Sequence, residues 1–288
     1  MKFKKIKINF YRYQLVPLTQ KIQARIDQQF DTIDDLKNKK NKFLYDVLTN
    51  AFFKFRSEKE KINHKIEYSD ESNILMKINV RKKAKLGTKD FRERDEEDYP
   101  QTILYFNNNK NHQILAIQDN KKAFSNHRVI AHIIEKNVEP LMNSYNLAFY
   151  LEPLYIESEF WDVIKRYEKR ITWMRFELIK PNISNISGLI KDGLDIISSK
   201  TNTHTTAIEL HAPQKGILEN LNKENEAFNA IVEYDLNGGG KQPEIKIGKA
   251  RKKIKTKNSE RSIDLEDIRI KGRTPAEVSK IFNSLTNI

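Results

Sequence analysis

The stretch TILYFNNNKNHQILAIQDN (residues 102–120) limits the fold more than any other part of the sequence. Two apolar runs flank an asparagine-rich turn, and asparagine tolerates the left-handed backbone conformations that tight turns require. The pattern therefore predicts an antiparallel β-hairpin.

Strand-like and helix-like segments alternate unevenly along the rest of the chain. ITWMRFELI (171–179) and TTAIELH (205–211) have the composition and alternation of strands. Near the end, TPAE (274–277) combines an N-cap threonine, a first-turn proline and a capping-box glutamate, which predicts a C-terminal helix. This order predicts an α+β fold of two packed domains with mostly antiparallel sheets, rather than a regular barrel or a doubly wound sheet.

The polar stretch KRYEKR (165–170) lies between two strongly patterned regions and suggests a domain boundary. We expect an N-terminal α+β domain at 1–168 and a C-terminal α+β domain at 169–288 that carries a basic hairpin. The polar stretch 81–100, which is mixed in charge, is interpreted as a mobile loop.

The composition excludes several classes of protein. The 288 residues include no cysteine, which rules out disulfides, thiolate zinc sites, iron–sulfur clusters and cysteine nucleophiles. The basic start of the chain lacks the long apolar stretch of a signal peptide, and no apolar run approaches the roughly 18 residues that suggest a membrane span. We therefore expect a cytoplasmic protein that does not insert into a membrane.

The glycine-rich stretch Gly238–Gly240, followed by Lys241, resembles a phosphate-binding loop at first sight. A P-loop requires the pattern GxxxxGK[ST] between a strand and a helix. Here the lysine precedes Gln242 and Pro243, and both flanks, AIVEYDL (230–236) and EIKIGKARKKIK (244–255), alternate as strands do. The glycines are therefore predicted to form a hairpin turn, and no nucleotide is expected there.

The strongest functional signal is the charge of residues 241–261. Nine cations against Glu244 and Glu260 give +7, more than half of the +13 that 52 basic and 39 acidic residues give the whole chain. One explanation needs no ligand, because lysines on an edge strand prevent aggregation. A basic two-stranded ribbon also fits a polyanion, because each neutralised phosphate releases counterions. We predict nucleic-acid binding, with DNA favoured over RNA, by Lys246, Lys249, Arg251, Lys252, Lys253, Lys255, Lys257 and Arg261.

A nuclease is the competing hypothesis. Asp235 followed by Glu244-x-Lys246 across a hairpin is similar to the core of restriction-type nucleases, in which two carboxylates hold Mg²⁺ and a lysine positions water. The alternation of the segment also explains Glu244 and Lys246 as solvent-facing residues. The six histidines form no HExxH pattern. We therefore assign no catalytic residue, metal or cofactor, and the nuclease stays an alternative.

The region from ILYFNNNKNHQILAIQDNKKAF through NLAFYLEPLYIESEFWDVIKRYEKRITWMRFELIKPN resembles bacterial proteins found beside phage-defence genes and, more distantly, the RexA family of phage-exclusion proteins. The shared features are a hairpin, a helix, a strand with Glu152-Pro153-Leu154 and a β–α–β second half, over about residues 100–236. The resemblance implies a two-domain, dimeric DNA-binding protein that senses infection and signals to a partner protein. It carries over no catalytic residue.

Together these observations predict a weakly sequence-specific nucleic-acid-binding protein of an anti-phage defence or mobile-element module. The alternatives are the Mg²⁺-dependent nuclease and a protein-interaction scaffold whose basic surface only confers solubility.

Overall fold

The structure, a computed structural model, has an α+β fold in which mostly antiparallel sheets are covered by helices, as the sequence predicts. It describes residues 4–19, 30–57, 61–87, 89–180, 188–248, 253–254 and 260–287. The helices are α1 (Ile33–Thr49), α2 (His127–Asn143), α3 (Glu157–Tyr167), α4 (Gly188–Thr201), α5 (Glu226–Tyr234) and α6 (Pro275–Thr286).

The strands form a large sheet, a three-stranded sheet and a separate pair. They are β1 (Lys5–Pro17), β2 (Ile62–Asp70), β3 (Asn73–Val80), β4 (Lys82–Gly87), β5 (Glu93–Asp98), β6 (Gln101–Asn107), β7 (Ile114–Asp119), β8 (Leu147–Pro153), β9 (Ile171–Ile179), β10 (Thr205–His211), β11 (Gly240–Ile247) and β12 (Ser262–Glu266).

Strand β1 organises the large sheet, whose order is β12-β1-β7-β6-β3-β2. One edge of β1 pairs with β12 over Lys5–Asn9 and then with β8 over Tyr11–Pro17, while its other edge pairs with β7. The predicted hairpin is present as β6 and β7, with Leu104 opposite Ile117. Its turn places Gln113 at a φ of 49°, the left-handed conformation expected of such a turn.

Helices cover both faces of the large sheet. On one face, Tyr13, Phe106 and Phe149 pack with residues of α1 and α2. On the other face, Phe10 and Tyr105 pack against α6. Asn126 caps α2, and the predicted capping box of Thr274 and Glu277 starts α6. Burial on both faces explains why β1 is apolar at consecutive positions.

The three-stranded sheet has the order β10-β9-β11, and its core includes residues of α3, α4 and α5. Strands β9 and β10 occupy the predicted ranges. The prediction of a strand at 230–236 is wrong, because this segment continues α5, which Asn225 caps through the Phe228 amide. Its buried residues, Ala230, Val232 and Tyr234, recur at every second position and so imitate a strand.

The glycines do not form a hairpin turn. They end the π-helical turn Asp235–Gly239 and lead from α5 into β11. Gly238 has a φ of 77°, and a Cβ there would lie 2.5 Å from the Cβ of Arg12. Glycine is therefore required by both its backbone conformation and its contact with β1. The Gly238 carbonyl accepts a hydrogen bond from Gln14 Nε2 at 2.9 Å, which joins this turn to the large sheet.

The structure of two further segments differs from what the sequence predicted. Most of the stretch 81–100, interpreted as a loop, forms the antiparallel pair β4 and β5. The chain after the basic segment returns to the first sheet, where β12 and α6 pack with β1. Residues 171–247 therefore build the second sheet, whereas 262–286 complete the first.

Candidate nucleic-acid interface

The second sheet has one apolar and one polar face. Met174, Phe176 and Leu178 alternate along β9 and point into the core with α5. Trp173 and Arg175 take the intervening positions and face the other way. The registers align β10 and β11 so that Glu209 and Glu244 lie opposite Arg175, one on each side.

Ion pairs cross the polar face from strand to strand. Arg175 Nη1 lies 2.7 Å from Glu209 Oε1, and Lys241 Nζ lies 2.5 Å from Glu177 Oε1. The hydrogen bond from Lys241 lowers the pKa of Glu177 and raises that of Lys241. Opposite charges on neighbouring strands stabilise the pairing and leave this end of the face close to neutral.

At the other end of the face, two lysines lie near one aromatic ring. Lys246 Nζ lies 4.3 Å from the ring centroid of Trp173, and Lys253 Nζ lies 5.2 Å from the same centroid. Both distances are within the range of cation–π attraction. Trp173 is only 8% exposed. The indole therefore positions two ammonium groups and does not itself present a surface on which a base could stack.

The chain after Lys246 is anchored to the same sheet. Ile254 forms an antiparallel bridge with Ile245 of β11, with N–O distances of 2.7 and 3.3 Å in the two directions. Lys253 Nζ also lies 2.5 Å from Glu244 Oε2. Since 249–259 holds six cations and no carboxylate, this bridge keeps the centre of a strongly basic segment beside the polar face.

The end of the basic segment is fixed by Glu260. Its carboxylate lies 3.3 Å from His127 Nε2 and 2.8 Å from Arg128 Nε, at the start of α2. The Tyr11 hydroxyl lies 2.7 Å from His127 Nδ1. Burial raises the pKa of Tyr11 and lowers that of His127. A neutral imidazole thus accepts from the phenol and donates to Glu260.

The eight predicted binding residues do not all lie in one place. Lys246 and Lys253 converge on Trp173, whereas Arg261 lies beside β1, where its carbonyl accepts from the Phe10 amide at 3.1 Å. The other five lie outside the described residues: Lys249, Arg251, Lys252, Lys255 and Lys257.

The residues of the nuclease hypothesis are separated by the sheet. Glu244 and Lys246 lie on the polar face, opposite Arg175 and Trp173. Asp235 is fully buried on the opposite side, where its Oδ1 contacts the position that a Cβ of Gly240 would occupy. Burial, and then the nearby Glu152, raise the pKa of Asp235 well above its usual range. Among the described residues, no group of three or more potential ligands could hold a metal ion.

Trp173, which lies against two of the predicted binding residues, has no separate role in the sequence prediction of the strand 171–179. The signal was present, because Trp173 shares its alternation phase with Arg175 and Glu177 rather than with Met174 and Phe176. Glu152, a half-buried carboxyl whose pKa is raised to about 8 by burial and then by Glu135, likewise has no separate role in the sequence prediction.

Comparison with known proteins gives no family. No family model matches the chain, and searches of the curated proteins and of the solved structures found no match. Within the described residues, none of the helices has the length and apolar character needed to cross a membrane.

Proposed function

We propose that the protein binds nucleic acid through the basic segment 249–259 and the two lysines held over Trp173. The observation that carries the proposal is that Lys246 lies near the same ring as Lys253, which is one of six cations in a segment without a carboxylate. Together with the Glu244 carboxylate, which pairs with Lys253, these two ammonium groups leave one surplus positive charge that attracts an anion. A phosphate group supplies that anion.

The contacts available to the ligand favour phosphates over bases. Lysine ammonium groups act as point charges, and contacts to phosphates position a protein without reading sequence. Because Trp173 is covered, stacking contributes little here. We therefore propose weak sequence specificity, with duplex DNA as the first ligand to test. From the resemblance of residues 100–236 to phage-exclusion proteins, we further propose a dimer that acts with a partner in an anti-phage or mobile-element module.

The proposal is tested by fluorescence anisotropy with labelled duplex DNA and single-stranded RNA at several salt concentrations. The logarithm of the affinity for duplex DNA should fall linearly with the logarithm of the salt concentration, with a slope of about −0.9 per neutralised phosphate. Lys246→Gln/Lys253→Gln should weaken binding to all sequences similarly and reduce the slope by about 1.8.

The matched control is Lys121→Gln/Lys122→Gln, which removes the same charge from two exposed residues far from this face along the chain. It should leave the salt slope unchanged. Equal binding by the Lys246/Lys253 variant and the wild type would contradict the assigned site. No binding even at low salt would instead favour the scaffold alternative.

A single substitution separates the proposal from the nuclease alternative. Glu244 competes with phosphate for Lys253, so Glu244→Gln should strengthen DNA binding by a few-fold. A nuclease that uses Glu244 as a metal ligand would instead lose cleavage of plasmid DNA with Mg²⁺. Cleavage by the wild type that disappears in Glu244→Gln would replace binding with catalysis as the function.

A further inference from the structure

A groove of about 540 Å³ lies between the C-terminal ends of α1 and α2 and the loop that follows α1. Its apolar lining comes from both helices and from the loop: Val47, Phe52, Phe53, Pro140, Leu141 and Tyr145. Val47 and Phe53 belong to the main core, whereas Leu141 is 41% exposed. The groove thus has an apolar part that continues outward from the core.

Phe52 stands beside this groove with 91% of its surface exposed, although its backbone is held in place. Its amide donates to Asn50 Oδ1 at 2.8 Å, and the Phe53 amide donates to the Asn50 carbonyl at 2.9 Å. Asn137 of α2 holds the other end of the loop, because its side chain accepts from the Arg56 amide and donates to the Arg56 carbonyl. An aromatic side chain is therefore presented on a fixed loop.

The groove also has an uneven charge. The charged residues that line it are three exposed cations, Lys54, Arg56 and Lys136, and one half-buried carboxylate, Asp46. A ligand that fills the groove would therefore meet an apolar floor and a positively charged rim. The complementary ligand has apolar side chains on one face and carboxylates beside them.

We propose that this groove binds an acidic amphipathic helix of a partner protein. A helix of this kind would insert side chains at positions i, i+3, i+4 and i+7 beside Phe52 and Leu141, while its carboxylates meet Lys54 and Arg56. The aliphatic surfaces of Val47, Pro140 and Leu141 favour a peptide over duplex DNA, because a duplex presents phosphates and sugars and offers no large apolar group to bury there. The proposal does not depend on the nucleic-acid interface on the second sheet.

The probe is a fluorescein-labelled, alanine-based helical peptide with leucine at i, i+3, i+4 and i+7 and glutamate at the flanking positions. Its twin carries lysine in place of glutamate. Anisotropy titrations with the full-length protein should show at least about tenfold tighter binding of the acidic peptide, since the twin would place like charges against the rim. Phe52→Ala should weaken the acidic peptide about tenfold, as expected for an exposed aromatic anchor.

Two matched controls accompany these measurements. Phe91→Ala removes another fully exposed phenylalanine, at the tip of the β4–β5 pair, and should leave peptide binding unchanged. Lys54→Gln/Arg56→Gln should weaken the acidic peptide several-fold, whereas Lys121→Gln/Lys122→Gln should not. Lys246→Gln/Lys253→Gln should bind the peptide normally, which distinguishes failure of this proposal from failure of the nucleic-acid proposal.

Three outcomes would overturn the proposal: equal binding of the acidic peptide and its twin, unchanged binding by Phe52→Ala, or displacement of the peptide by duplex DNA in the Lys246→Gln/Lys253→Gln variant. The last outcome would assign the groove to nucleic acid. Because Phe52 is 91% exposed, its replacement should leave the fold intact, and circular dichroism of each variant checks this.

Discussion

Two neighbouring buried carboxyl groups, Glu152 and Asp235, make the stability of this molecule depend on pH. Glu152 lies on β8 opposite Arg12 of β1, and Asp235 lies fully buried nearby without a hydrogen-bond partner for either oxygen. Burial, and then the neighbouring Glu135, raise the pKa of Glu152 to about 8, while Lys241 opposes the shift. Near neutral pH the folded protein therefore keeps a proton on Glu152 that the unfolded chain has lost.

The first prediction concerns this proton. A carboxyl whose pKa is raised on folding is equally protonated in both states below its ordinary value of 4.5, and its cost grows as pH rises to about 8. Glu152→Gln should therefore leave the free energy of unfolding unchanged near pH 4.5 and raise it by about 1–3 kcal/mol at pH 8. Denaturant unfolding at both pH values measures the difference.

The control is Glu219→Gln, which removes an exposed carboxylate and should have the same small effect at both pH values. If Glu152→Gln and wild type differ in stability by the same amount at pH 4.5 and at pH 8, Glu152 is ionised in the folded protein and its burial is compensated.

At the level of helices and strands, the sequence predicted those elements whose signal is local. Strand β9 occupies 171–179 as expected, because Met174, Phe176 and Leu178 alternate with polar residues and the charged residues Arg170 and Lys180 flank the strand. The prediction of a strand at 230–236 failed because an apolar residue at every second position fits a strand. The preceding Asn225 and Glu226 are nevertheless typical of a helix start. The two periods compete over seven residues, and the helix cap decides between them.

In the candidate interface, too, the sequence predicted the local features and not the long-range ones. The charge of residues 241–261 was visible in the sequence, whereas the hairpin turn predicted for Gly238–Gly240 was wrong. The hypothetical metal site was not resolved, because whether Asp235 and Glu244 share a face depends on whether Asp235 ends a strand or follows a helix. A sequence period cannot supply that long-range geometry.

The second prediction concerns β4 and β5, which pair with each other and with no other strand of the described chain. Ion pairs such as Lys85–Glu93, at 2.8 Å, hold them together, while Phe91 at the tip is fully exposed. A two-stranded ribbon without a buried face adds little stability. Replacing residues 82–98 by an Asn-Gly turn should therefore change the Tm of the protein by less than about 4 °C, which corresponds to roughly 1 kcal/mol.

Thermal unfolding followed by circular dichroism gives the Tm, and hydrogen exchange in the intact protein provides an independent reading. Amides of β4 and β5 should exchange far faster than those of β3 and β6. A fall in Tm of more than about 10 °C on removing the ribbon would show that it supports the sheet.

The architecture of the whole molecule depends on pairings between distant parts of the sequence. Strand β12 pairs with Lys5–Asn9, and α6 covers Phe10 and Tyr105 from the end of the chain. Phe282 of α6 is fully buried and stacks on Tyr105 with ring centroids 5.5 Å apart. Such contacts leave no local mark in a sequence, so the division at residue 168 was drawn from local composition alone.

The last prediction follows from this return of the chain. A fragment of residues 1–168 lacks β12 and α6, so it leaves part of one edge of β1 unpaired and exposes the apolar face around Phe10. Such edges and faces promote aggregation.

Residues 1–156 joined by a short Gly-Ser linker to 260–288 should instead fold, because the bridge between Tyr155 and Glu260 brings the two ends together. Size-exclusion chromatography and thermal unfolding should show a monodisperse, cooperatively unfolding joined protein and an aggregating fragment 1–168. Cooperative unfolding of 1–168 at the same Tm as the joined protein would mean that the first sheet is stable without its last strand and helix.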